Sequence, residues 1–193
     1  MNTHPLLAHH RASTQRGASL IMVMLILVVV SLLGVGGAQI ALMSERGARN
    51  DRDLQVAWQA AEAALLDAEL DMTNSRPTIF DGQNASAFIA GCGTSGTSIG
   101  LCVPNTAKPA WRSVDFTNVS TTAPTVEFGH FTHRSFAAGG VGIQPAQKPR
   151  YMIELVRDPA APPTKMTYIY RVTAMGFGPR ADIQAVLQMI YRT

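Results

Sequence analysis

The chain has 193 residues, 47 % of them hydrophobic and 15 % charged, with a formal net charge of +3. That length holds one ordinary domain rather than two. Arg11 and Arg16 lie near the start, and the remaining basic and acidic side chains nearly balance. With no Lys/Arg cluster left, the sequence lacks the electrostatic footprint of a nucleic-acid binder.

Residues 1–17 form a polar leader. From there to Glu45 the chain contains no Asp, Glu, Lys, Arg or His. At about 1.5 Å per helical residue the run from Gly17 to Ser44 is roughly 40 Å long, enough to cross a bilayer core. A cleaved secretory signal has an apolar region of only about 7–15 residues, so this run reads as a single membrane span. Arg11 and Arg16 on its N-terminal side place the leader in the cytoplasm and the bulk of the chain across the membrane.

Residues 18–72 are predicted to be one long helix, with 18–44 as its membrane half. The second half, 45–72, has no Pro and is rich in Ala, Leu, Gln and Glu, all good helix formers. Leu54, Trp58, Ala61, Leu65, Ala68 and Met72 recur at alternating spacings of four and three, which predicts a stripe packed on the domain's own sheet. Asp53, Gln59, Glu62, Asp67 and Glu69 are placed largely off that stripe. Gly34, Gly36 and Gly37 mark a point where the helix can bend, or pack closely against another helix.

Asn74-Ser75-Arg76-Pro77 ends the helix. Residues 73–124 then read as a long irregular connection rich in Gly, Ser, Thr, Asn and Pro. Cys92 and Cys102 make an even pair in an exported domain, separated by a Gly/Ser/Thr-rich loop, and are expected to form a disulfide that pins it. Two unrelated free thiols are the alternative.

Sheet patterning fills 125–193. Val126–Phe136 is a candidate strand. Arg150–Arg157, Met166–Met175 and Ile183–Arg192 are separated by short turns, and the last two alternate apolar and polar side chains as half-buried antiparallel strands do, so a meander is expected. The fold class is therefore α+β, with the helix covering the apolar face of a small antiparallel β-sheet.

Two chemical motifs carry less weight. Gly96-Thr97-Ser98-Ile99-Gly100 matches the G-x-S-x-G pattern, but a nucleophile elbow needs a strand-to-helix turn, and this match sits inside the cysteine loop. His130 and His133 beside Glu127 are spaced so that a strand would turn the two imidazoles to opposite faces, away from a shared metal. No enzymatic activity, cofactor or metal is expected.

Gln15-Arg16-Gly17-Ala18-Ser19-Leu20 before an apolar helix resembles a class III prepilin cleavage signal, as in type IV pilins and type II secretion pseudopilins. The segment Glu45–Leu65, with Arg49-Asn50 leading into Ala57-Trp58-Gln59-Ala60-Ala61-Glu62-Ala63-Ala64, is similar to the N-terminal region of PilX-type minor pilins. Trp58 stands where that pattern usually has Phe. Tyr170-Arg171-Val172-Thr173-Ala174 and Val186-Leu187-Gln188 resemble the end of that family's sheet domain.

The resemblance implies a type IV pilin-like fold, cleavage between Gly17 and Ala18 by a prepilin peptidase, and N-methylation of Ala18. The chain would sit in the inner membrane with residues 45–193 in the periplasm, then move to the cell-surface pilus. Implied partners are other minor pilins, the major pilin, the inner-membrane assembly platform and a PilY-type tip adhesin. Implied roles are priming of pilus assembly, twitching motility and adhesion.

One position departs from the usual pilin pattern. Met22, fifth in the mature chain, stands where most pilins have a Glu that pairs with the N-terminal amine of the preceding subunit. Either a rare subunit tolerates the loss, or it needs no predecessor because it sits at or near the fibre tip; the second reading is adopted. Two alternatives are a tip minor pseudopilin of a type II secretion system and a signal-anchored periplasmic binding protein or enzyme.

Overall fold

The structure, a computed structural model, describes residues 18–104, 108–162 and 164–193. The leader, with Arg11, Arg16 and Gly17, lies outside the described residues. The chain divides into two units, one ending at Ala48 and the other running Arg49–Thr193. A single helix, α1 (Ala18–Leu70), supplies the described part of the first unit and opens the second. In the first unit every residue from Ser19 to Ala48 is exposed, except half-buried Gly36. This stretch has a mean hydropathy of 2.8 over its most apolar window, and it is the one described helix long and apolar enough to span a membrane.

The second unit is a six-stranded mixed sheet covered by the second half of α1. Its strands are β1 (Ile89–Ala90), β2 (Leu101–Val103), β3 (Val126–Glu127), β4 (Arg150–Arg157), β5 (Tyr168–Phe177) and β6 (Gln184–Tyr191). The path runs β1-β2-β4-β5-β6, and β3 shares with β2 the edge of β4 that faces away from β5. β4, β5 and β6 form the expected antiparallel meander. Tyr151 lies opposite Ala174 and Glu154 opposite Arg171, then Val172 opposite Met189.

The sheet departs from the sequence reading at two places. The segment expected to be irregular adds β1 and β2, both parallel to their neighbours, with Ile89 opposite Cys102 and Leu101 opposite Ile153. The expected strand Val126–Phe136 shrinks to the two residues of β3. Beyond it the chain turns through Gly129 at φ +80°, where a Cβ would stand 2.0 Å from the Arg134 carbonyl oxygen. That turn carries the chain off the sheet and toward α1.

The face of α1 that meets the sheet is also rotated from the expected stripe. Ala57, Ala60, Ala61, Ala64, Asp67 and Ala68 are buried, and Asp71 and Met72 continue the face into a π-helical turn, Asp71–Ser75. Leu54 and Trp58 are 45 % and 50 % exposed. The reason is how closely helix and sheet approach. A Cβ on Gly176 of β5 would lie 2.1 Å from the Ala57 carbonyl oxygen and 2.3 Å from the Ala61 nitrogen. Backbone lies against backbone there, so only glycine and alanine fit between them.

β4 is buried on both faces. Tyr151, Ile153 and Leu155 pack under α1 with Leu101, Phe80, Phe88, Tyr170 and Val172. Met152 points the other way, into a second cluster with Cys92, Cys102, Ala110 and Phe116. Buried Glu154 on that face accepts a hydrogen bond from the Arg171 Nε at 2.8 Å and one from the Ala110 N–H.

Gly176→Ala is expected to lower stability by about 1–3 kcal/mol through overpacking of this contact. Gly47→Ala, where a Cβ meets nothing, is expected to hold or raise it. Urea midpoints of the full chain in detergent measure both, and equal midpoints for wild type and Gly176→Ala would remove the close contact.

Candidate assembly surface

The positions singled out in the sequence fall in separate places. Ala18 is the first residue of α1, and Met22 follows one turn later, 65 % exposed among exposed Leu20, Val23 and Ile26. Cys92 and Cys102 are bonded to each other. Their loop is closed by backbone hydrogen bonds, with the Gly93 N–H bonding the Leu101 carbonyl and the Gly100 N–H bonding the Gly93 carbonyl. Ser98 lies in a single 3₁₀ turn, Gly96–Ser98, far from the strand-to-helix geometry of a nucleophile elbow. Glu127 and His130 line one cavity of about 340 Å³ with Lys148 and Arg150, while His133 stands exposed in the turn beyond, at φ +57°.

Inside that cavity Glu127 accepts from Lys148 Nζ at 2.8 Å and reaches Arg150 Nη1 at 3.5 Å. Arg150 also donates from Nε and Nη2 to the Thr125 hydroxyl and carbonyl. Burial pushes its guanidinium below the ordinary arginine value, with the Glu127 charge opposing the shift.

The best-built polar site is at the end of α1. Asp71, fully buried, accepts from Arg76 Nε at 2.8 Å and from its Nη2, and from the Tyr151 hydroxyl at 2.8 Å. Arg76, itself 4 % exposed, also donates to the Thr97 carbonyl in the cystine loop and stands 3.7 Å from the centre of the Phe131 ring. One turn earlier, buried Asp67 accepts from the Gly129 N–H at 2.8 Å and the Thr132 hydroxyl at 2.5 Å. These two carboxylates gather helix, sheet, cystine loop and the 128–134 turn. Sequence reasoning set Asp67 off the buried face and gave Asp71 no role. Their four-residue spacing, in step with Ala64 and Ala68, was the available signal.

The outward face of α1 in the second unit carries three large apolar side chains among exposed polar ones such as Arg52, Gln55, Gln59 and Glu69. Leu54, Trp58 and Leu66 are each at least 45 % exposed, and the Trp58 indole donates to Glu62 Oε1 at 2.9 Å. Taken with Leu20–Met43 of the first unit, the large apolar side chains of α1 that reach solvent outnumber those used by its own domain. Such a surface suits association rather than chemistry on a small molecule.

Comparison with known families gives two matches. A family model described as PilX N-terminal matches residues 16–66, and one described as type IV pilus assembly protein PilX C-term matches residues 50–193. Neither the curated proteins nor the solved structures contain a match.

Burial drives the Tyr151 hydroxyl well above the ordinary phenol value, and the Asp71 charge pushes it further the same way. Burial also raises Tyr170, whose hydroxyl accepts from the Gly82 N–H. A raised folded-state value means the stabilisation is complete below the unfolded phenol value of about 10 and is lost as the pH rises beyond it. Stability is therefore expected to fall from about pH 10 upward, and less steeply in Tyr151→Phe. Arg76→Met strands the buried Asp71 charge and is expected to cost about 3–5 kcal/mol. Arg76→Met with Asp71→Asn should recover part of that loss, as chemical denaturation across pH would show.

Proposed function

The chain belongs to the PilX family of type IV pilus assembly proteins, and on that footing we propose that it is a structural minor pilin that helps prime the fibre. The observation that carries this reading is the pair of family matches, which together run from residue 16 to residue 193. The exposed apolar helix they include supports it, because no described residue of its own unit covers that surface.

In this reading a prepilin peptidase cuts between Gly17 and Ala18, and the new Ala18 amine is methylated. Glycine suits the cut position because any side chain would stand between the peptidase and the backbone. Residues 18–44 then hold the precursor in the inner membrane, with residues 45–193 in the periplasm. On assembly the same helix exchanges lipid for neighbouring pilin helices. A Cβ at Gly34, Gly36 or Gly37 would have no neighbour within 4 Å among the described residues, which leaves room there for another helix to approach closely. The chain acts without catalysis, in company with other minor pilins, the major pilin and the assembly platform, and supports a PilY-type adhesin, twitching motility and adhesion.

Met22 bears on where in the fibre it sits. A buried carboxylate in a membrane or fibre core needs a cationic partner. A subunit with Met22 offers no carboxylate to a predecessor's N-terminal amine, which fits a place at or near the tip.

Mass spectrometry of the membrane fraction is expected to find a mature chain beginning at methylated Ala18. Gly17→Val should leave the leader attached and abolish entry into fibres. An intact Met1 start in wild type would reject the pilin reading. Met22→Glu is expected to reduce fibre initiation, and the tip assignment fails if piliation is unchanged and labelled protein lies along the shafts.

A further inference from the structure

The two ends of the sheet are finished differently. On one side the edges are two-residue strands, β1 and β3. On the other, β6 runs eight residues, and its only backbone partner among the described residues is β5. Natural edges of this length are usually guarded by Lys, Pro, a bulge or a covering segment. From Gln184 to Tyr191 there is no charged residue, Pro or Gly.

We propose that this edge pairs with β6 of a second copy of the chain, antiparallel and centred on Gln188. The side-chain pattern is self-complementary about that residue. In this register Val186 meets Ile190 of the second copy, Leu187 meets Met189, Ala185 meets Tyr191, and the two Gln188 amides meet each other. Every pair is apolar with apolar or polar with polar. Val186 and Ile190, 44 % and 58 % exposed in the single chain, are covered by one another. A shift by one residue would set apolar side chains against the opposite face, so the pattern selects register as well as partner.

The ends add complementary charge. Arg192 falls opposite Gln184 of the second copy, one same-face position from its Asp182. Both are largely exposed, although Arg192 bonds Asp158 and Asp182 bonds Arg180 within the chain. The contact is isologous, closed by a two-fold axis normal to the sheet. The second-unit parts of the two α1 helices then lie on one face of a continuous sheet and run in opposite directions. This inference goes beyond the pilin reading and does not depend on it.

The test uses the full chain in detergent. Cys92 and Cys102 are bonded to each other, so Gln188→Cys supplies the single free thiol. A short bis-maleimide is expected to give a covalent homodimer with Gln188→Cys and little with exposed Thr121→Cys. Val186→Lys with Ile190→Lys, which sets ammonium groups opposite each other, is expected to abolish the dimer by light scattering while leaving the melting curve in place. Equal crosslinking at 188 and 121, a monomer at all concentrations, or a dimer that survives the double lysine variant each overturns the proposal. So does crosslinking of Gln188→Cys in cells to a different protein, which would assign the edge to another occupant.

Discussion

The second unit depends on one buried ion pair. Asp71 and Arg76 sit at the place where α1 stops, fully withdrawn from water, with the Tyr151 hydroxyl completing the carboxylate's shell. Against an apolar substitute such a pair contributes little net stability, but losing either partner alone is costly. Its effect is to permit one arrangement. The guanidinium can satisfy its remaining donors only if the cystine loop presents the Thr97 carbonyl, and its face only if Phe131 lies across it. Helix terminus, sheet, cystine loop and the 128–134 turn are therefore set by the same five-residue step of chain.

Much of this was legible beforehand where a strong period repeats. The meander follows from alternation in β5 and β6 and from the short turns between the segments, and β4 occupies its expected span. The charge-free run is one helix, and the two cysteines pair. What escaped was decided by packing between segments distant in sequence. Periodicity favours large apolar side chains, so Leu54 and Trp58 were assigned to the interior. The helix instead rests on alanines because Gly176 brings β5 against its backbone, and no local pattern in either segment announces that approach. Val126–Phe136 has the composition of a strand, but Asp67, more than sixty positions earlier, draws Gly129 and Thr132 away from the sheet. β1 and β2 are too short to leave a pattern; β2 lies beside β4, β1 beside β2, and the cystine ties Cys102 of β2 to Cys92 just beyond β1.

Within the PilX family the two halves of α1 meet different demands. The first is apolar on all sides, the pattern of a membrane-spanning helix. The second buries a face of small residues and two carboxylates on its own sheet. The change comes where Glu45, Arg46 and Arg49 begin, close to where the chain divides into its two units.

The alanine face has a consequence for how this surface varies over evolutionary time. Because the domain's own cohesion rests on Ala57, Ala60, Ala61, Ala64 and Ala68 against Gly176, the bulky residues at 54, 58 and 66 are released from internal packing. Substitutions there change what the helix shows to its neighbours at small cost to folding. The character of the helix's exposed face and the integrity of the fold are thus written at different positions, and selection can adjust one without disturbing the other.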